Sequence, residues 1–264
     1  MKSYIKSTQS HSPLKSFLDE QVFRINTSAF IENDPVQFPR RYSRLQDIEI
    51  AAFLTATVAW GNRKMILRDA DRMLSKMGDS PYDFVMNEGY KTLGRANVHR
   101  TFFEQDLAYM LRGYRSILLR FDSIQRFLES KTDINTPWDI TSALRSEIMK
   151  ANDNNLSSKC FPSNFEKSAL KRINLALRWL VRNDGIVDLG VWDFLKPDKL
   201  YIPLDVHVGN TARELGLLER TINDRKAVEQ LTAKLMEFCP EDPVKYDFAL
   251  FGIGIEKINF KFSL

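Results

Sequence analysis

Cysteine and histidine are scarce in this chain, and the scarcity removes whole classes of chemistry. Its 264 residues hold two cysteines, Cys160 and Cys239, 79 positions apart. Two thiols build no disulfide framework and cannot supply the four ligands of an iron–sulfur cluster. A reducing cytoplasm is the expected compartment. The three histidines, His11, His99 and His207, leave little for a zinc site of ordinary composition. The expectation is therefore no metal, no metal cluster and no cofactor. Long apolar runs are also missing. The longest, Ile50–Trp60, is interrupted by Thr55 and Thr57, far short of the ~20 residues of a membrane helix. No membrane partner is expected, and the opening MKSYIKSTQSHSPLKSF lacks the apolar stretch of a signal peptide. Charge of one sign is scarce too: 38 Lys+Arg stand against 34 Asp+Glu, a net +4. That balance is compatible with a nucleic-acid partner without arguing for one.

What is present is core-forming. At 44% hydrophobic and 27% charged, the chain has material for one large domain or two lobes sharing a cleft, and disorder is excluded. The periodicity is helical almost throughout. Leu14–Ile25 carries an apolar stripe, and Asp47–Trp60 reads as a buried helix. Lys64–Met77 is amphipathic, with Lys64, Arg68, Arg72 and Lys76 on one face. Ser80-Pro81, Thr136-Pro137 and Asp242-Pro243 each place a capping side chain before a first-turn proline. Thr101–Lys131 is long enough for two helices, broken near Gly113 or Asp122. Ala169–Arg182 is a strong helix that stops at Asn183-Asp184-Gly185. Asp224–Phe238 and Pro243–Phe251 complete an all-α chain of about ten helices. A β-like touch is expected at Leu200–Leu204.

Familiar catalytic signatures are absent. Gly252-Ile-Gly254 lacks the third glycine and the strand–turn–helix setting of a dinucleotide site. There is no Walker-type phosphate loop, and no Ser or Cys sits in a nucleophile elbow. Two other segments stand out. In Tyr201-Ile-Pro-Leu-Asp205-Val-His207-Val-Gly, a proline-fixed extended stretch delivers one carboxylate to a helix start. Asp205 is there an N-cap, a catalytic carboxylate, or both. On the Ala169–Arg182 helix, Lys171, Asn174, Arg178 and Arg182 form one polar stripe on an otherwise apolar cylinder. It is either a solvated face or part of a site, and it contains no acid. Trp60 precedes Gly61-Asn62-Arg63, as a core residue or as a stacking wedge.

Leu204-Asp205-Val206-His207-Val208 with Glu214-Leu215-Gly216-Leu217 resembles the segment that carries the essential aspartate of the helix-hairpin-helix DNA glycosylases, the endonuclease III-like superfamily. A closer resemblance, over nearly the whole chain, is to a bacterial family of unknown function. It rests on Asp34-Pro35, Phe38–Tyr42, Asp47–Ala51, Lys171–Asn174, Leu177–Arg182 and Pro243–Gly252.

The superfamily resemblance implies a two-lobed, all-α fold of the helix-hairpin-helix glycosylase type. Residues 14–42 with 199–264 would form the lobe carrying Asp205. Residues 43–198 would form the lobe with the hairpin and Lys171, and 1–13 would be loose. In bifunctional members a lysine opens the second hairpin helix. Lys171 stands there, 34 positions before Asp205, a gap more like the archaeal 8-oxoguanine glycosylase branch. The implied activity is that of a base-excision-repair glycosylase and abasic-site lyase on double-stranded DNA. A damaged base, such as an oxidised purine, is flipped out. Lys171 forms the Schiff base, its amine freed by burial and by the positive charge of Arg172 and Arg178, and Asp205 assists.

The implied DNA-binding residues are Arg172, Asn174, Arg178 and His207, with Trp60, Asn62 and Arg63 at the flipped-base gap. Lys167 and Ser168 would bind phosphate in the hairpin, where the superfamily's glycines are missing. The stretch Phe161–Lys171 has no glycine at all, and Lys167 stands at the expected glycine position. The stripe from Lys64 to Lys76 would follow a phosphate backbone or be solvated. The alternatives are a non-catalytic nucleic-acid- or protein-binding module on the same fold, or a helical enzyme acting on a small molecule. Lys171 and Asp205 more than ~10 Å apart would exclude the lyase mechanism.

Overall fold

The computed structural model describes residues 13–157 and 159–258. The expectation for residues 1–12 lies outside the described residues. Pro13, expected in the same loose stretch, instead opens a helix. The described chain is all-α apart from one two-stranded ribbon. It runs α1 (Pro13–Ile25), the single turn α2 (Ser28–Glu32), and two 3-10 turns at Pro35–Gln37 and Pro39–Arg41. α3 (Leu45–Val58), α4 (Arg63–Ser75) and α5 (Pro81–Met86) follow, then the ribbon β1 (Asn97–His99) and β2 (Phe102–Phe103). α6 (Glu104–Phe121), α7 (Ile124–Glu129), α8 (Pro137–Lys150) and α9 (Lys171–Val181) come next. The chain closes with α10 (Val206–Glu214), α11 (Arg225–Met236) and α12 (Tyr246–Glu256).

Side-chain caps set several of these starts. Ser80 accepts from the Asp83 amide, and Thr136 forms a capping box with Asp139. Asp242 behaves differently from the sequence expectation. It makes no side-chain cap, Pro243 opens only a 3-10 turn, and the carboxylate instead receives Arg182 Nε at 2.8 Å. The break in Thr101–Lys131 falls at Asp122, whose φ is +69°, and not at Gly113. Ser123 then caps α7, whose first amides, Ile124 and Gln125, both donate at 2.8 Å to the buried Glu49 carboxylate from α3. Burial pushes Glu49 up to about 7, with the backbone donors and Trp192 opposing.

Gly113 remains inside α6 because α8 crosses it closely. A Cβ there would lie 2.3 Å from Ile148 Cγ1 and 2.7 Å from its Cβ. Gly113→Ala is therefore expected to lose about 1–3 kcal/mol by overpacking. A thermal melt checks it, and an unchanged midpoint would mean that the helices separate freely. Leu200–Leu204 forms no strand, because its backbone is taken by local and side-chain partners. Leu204 N donates to Ile202 O, and Ile202 N donates to Thr232 Oγ1. The β1–β2 ribbon is too short to register as an alternating pattern.

Two apolar clusters form the interior. The larger surrounds α3, twelve of whose fourteen residues are buried, and includes α6, α7, α8 and most of α9. The smaller joins α1, α10, α11 and α12, with α1 packed along α12. The start of α9 and the start of α10 meet where these clusters adjoin. Among the described residues no helix is long and apolar enough to cross a membrane.

Candidate active site

A cleft of about 730 Å³ opens at this junction. Lys171 is the first residue of α9. Its Nζ donates to the Ala59 carbonyl at 2.8 Å and lies 4.0 Å from Asp205 Oδ2. Asp205 is the N-cap of α10, its Oδ1 accepting from Val208 N at 2.9 Å. One oxygen caps the helix and the other faces the lysine, so the two roles coexist on one carboxylate. Asn223 Nδ2 pins the Asp205 carbonyl at 2.9 Å. The Lys171 and Asp205 side chains keep 28% and 22% exposure, open to the cleft.

The walls are aromatic. Phe30 lies edge-on to Phe248 at 5.3 Å and to Phe251 at 6.5 Å. Arg63 spans this wall, its guanidinium 4.9 Å from the Phe251 centroid, and pairs with Asp34 at 2.7 Å. Trp60 and the exposed His207 and Asn62 complete the rim. Asn62 also caps α4. Asp34, Asp247, Phe30, Phe248 and Phe251 were not singled out as site residues from the sequence. The available signal was a lone carboxylate, Asp247, near the start of a helix otherwise almost wholly apolar.

The floor is a buried ion network. Arg178 pairs with Asp188 at 3.2 Å and, closely, with Asp247. Arg182 reaches Asp188 at 2.9 Å, Asp184 at 2.5 Å and Asp242 at 2.8 Å. The Arg178 and Arg182 end of the stripe on α9 is thus not solvated, and its carboxylates come from outside the helix. Four aspartates face two guanidiniums. Burial pushes Asp247 up to about 7; Arg178 and Lys171 oppose the rise, and Asp205 and Asp188 add to it. Asp247 therefore holds a proton well above the ordinary carboxyl range.

This has a measurable sign. An acid raised in the folded state contributes nothing below pH ~4, where both states are protonated, and its full penalty above about 7. Relative to wild type, Asp247→Asn should gain stability progressively from pH 4 to pH 8, by up to about 4 kcal/mol. Urea midpoints at several pH values test this, and a pH-independent difference would refute it.

The remaining sequence candidates lie elsewhere. Arg172 turns from the cleft and donates to the Thr57 carbonyl at 3.1 Å and to that of Lys159 at 3.4 Å. Arg178 is compensated by two carboxylates, whereas Arg172 meets only carbonyl oxygens. Asn174 is fully buried, its Nδ2 donating to Ala169 O at 3.0 Å. Lys167 is exposed on a 3-10 turn outside the cleft, and the Ser168 carbonyl accepts from Trp138 Nε1 at 3.0 Å. The left-handed residue of this connection is Leu170, at φ +47°, rather than Lys167. The basic stripe of α4 is largely answered within the protein: Arg68 and Arg72 hold Asp69, and Lys76 holds Glu104. Among the described residues, no group of three or more His, Cys, Asp or Glu is placed to hold a metal ion.

No curated protein and no solved structure matches this chain. A family model described as Protein of unknown function (DUF2400) matches residues 34–256. That span takes in Lys171, Asp205 and the cleft lining other than Phe30, and the chain belongs to this family.

Proposed function

We propose that the cleft is the active site of a DNA glycosylase with abasic-site lyase activity. The observation that carries the reading is a lysine amine 4.0 Å from a carboxylate inside an aromatic-walled cleft of about 730 Å³. That volume lies in the range of ordinary ligand pockets. Aromatic walls suit the stacking of an extruded base.

Lys171, as the free amine, attacks C1′ of the flipped nucleotide. The glycosidic bond breaks with its electron pair on the departing base, which takes up a proton. The sugar ring then opens to a protonated imine on Lys171. Asp205 supplies negative charge to the cation developing at the sugar and relays protons. Asp247, whose carboxyl burial raises to about 7, is the proton donor this reading assigns to the departing base.

The test is covalent trapping. Wild-type protein is mixed with duplexes carrying 8-oxoguanine, uracil or an abasic site, and borohydride reduces any imine to a stable amine. An adduct on the Lys171 peptide supports the lyase reading. Salt-dependent duplex binding without adduct or base release points to a non-catalytic binding module. Absence of binding at low salt removes both readings.

A further inference from the structure

Lys171 is held by a backbone turn, and the turn is itself held from behind. Ala59 ends α3 at φ −75° and ψ 61°, and Trp60 N donates back to Val58 O at 2.8 Å. This is an inverse γ-turn, whose own hydrogen bond uses the Val58 carbonyl and leaves the central carbonyl to other donors. That carbonyl, Ala59 O, is the one that accepts from Lys171 Nζ. The next carbonyl, Trp60 O, meets His99 Nε2 at 2.8 Å. His99 comes from β1 and is completely buried, and its Nδ1 lies 2.8 Å from Asp69 Oδ2 on α4.

The role of Nε2 here is forced. A carbonyl only accepts, so Nε2 carries a proton. Burial on its own would raise the Asp69 carboxyl, but hydrogen bonds from His99 and Arg68 outweigh it and hold the group below its usual range. The ring is thus held from both sides, by the Trp60 carbonyl at Nε2 and by the Asp69 carboxyl at Nδ1. Its charged surroundings are Asp69, Arg68, Arg72 and Arg100, the last lying 4.5 Å over the Trp60 ring. Gly61, at φ +98°, completes the turn, and a Cβ there would strike Arg100 Nη1 at 2.6 Å.

We propose that His99, oriented by Asp69, is a positioning residue for Lys171. It fixes the Ala59–Gly61 turn so that the Ala59 carbonyl holds the amine short of a close ion pair with Asp205. Neither His99 nor Asp69 lines the cleft. They act through the turn. When the turn loosens, Lys171 closes on Asp205 as a tight ammonium–carboxylate pair, and its free-amine fraction drops. The inference rests on Lys171 being the nucleophile, and its test is chosen to stand apart from that reading.

The experiment measures Lys171 labelling by pyridoxal phosphate, with borohydride reduction and peptide mass spectrometry, across pH, using Lys64 as the exposed internal standard. His99→Phe is expected to slow Lys171 labelling by about tenfold at fixed pH and to move its acid limb upward. His99→Gln is expected to stay near wild type, because the amide Nε2 still donates to Trp60 O. Asp69→Asn, the gentler variant should His99→Phe fail to fold, is expected to move in the same direction as His99→Phe. An unchanged Lys171 rate in the folded variants, or a loss in His99→Gln equal to that in His99→Phe, overturns the proposal. Wild-type trapping on abasic DNA is run alongside. Its failure would sink the lyase reading and leave the labelling result to judge the positioning role.

Discussion

Replacing Lys171 with alanine is expected to abolish imine trapping and to lower strand cleavage at an abasic site by on the order of 10³-fold or more. The side chain is the only amine that borders the Asp205 carboxylate among the described residues. Lys171→Arg should be equally inactive in trapping. It keeps the charge and a donor for the Ala59 carbonyl but offers no nucleophilic lone pair. Asp205→Asn should retain the α10 cap, because an amide oxygen accepts from Val208 N as the carboxylate does. Its loss therefore falls on rate rather than on folding, at about 10²–10³-fold. The reading fails if Lys171→Ala still traps, or if Asp205→Asn loses its melting transition together with its activity.

The sequence made these two residues legible for different reasons. Asp205 follows Pro203 and precedes a helix, so a fixed extended entry and a cap are both written locally. Lys171 opens a helix whose far side is plainly apolar. Their meeting at 4.0 Å is a matter of how α9 and α10 cross, and no local pattern encodes that distance. The ionic floor was illegible for a related reason. Arg178 and Arg182 read as half of a polar stripe, while their partners Asp184, Asp188, Asp242 and Asp247 come from the following loop and from the segment that opens α12. A charge strip on one helix cannot announce counterions that arrive from elsewhere in the fold.

Helix content was legible because the apolar spacing and the caps agree, as at Thr136 and Ser80. The errors arose where tertiary contacts override local signals. Gly113 looks like a breaker and is instead the point where α8 approaches α6. Asp242 looks like a cap and instead answers Arg182. Asp122 breaks its helix through a positive φ that its short polar side chain tolerates. His99 sits in a ribbon of two short strands, below the length at which alternation becomes visible.

The largest expected stability effect belongs to Arg178. Its guanidinium is buried, paired with Asp188 and Asp247, and lies 4.3 Å over the Phe248 ring. Arg178→Met keeps much of the volume and removes the charge. It leaves Asp188 to Arg182 and strips buried Asp247 of its guanidinium, an uncompensated arrangement that costs about 3–5 kcal/mol. Burial already pushes Asp247 up to about 7, and loss of its cation pushes it further in the same direction. The deficit should therefore be greatest at pH 8 and shrink toward pH 5, where protonation of Asp247 removes the stranded charge. Adding Asp247→Asn should recover part of the loss at pH 8 and little at pH 5, since the second change does what acid does. Urea unfolding of the single and double variants at both pH values decides the matter. An equal deficit at pH 5 and pH 8, with no recovery in the double variant, would mean that Arg178 contributes packing against Phe248 rather than charge compensation beneath the cleft.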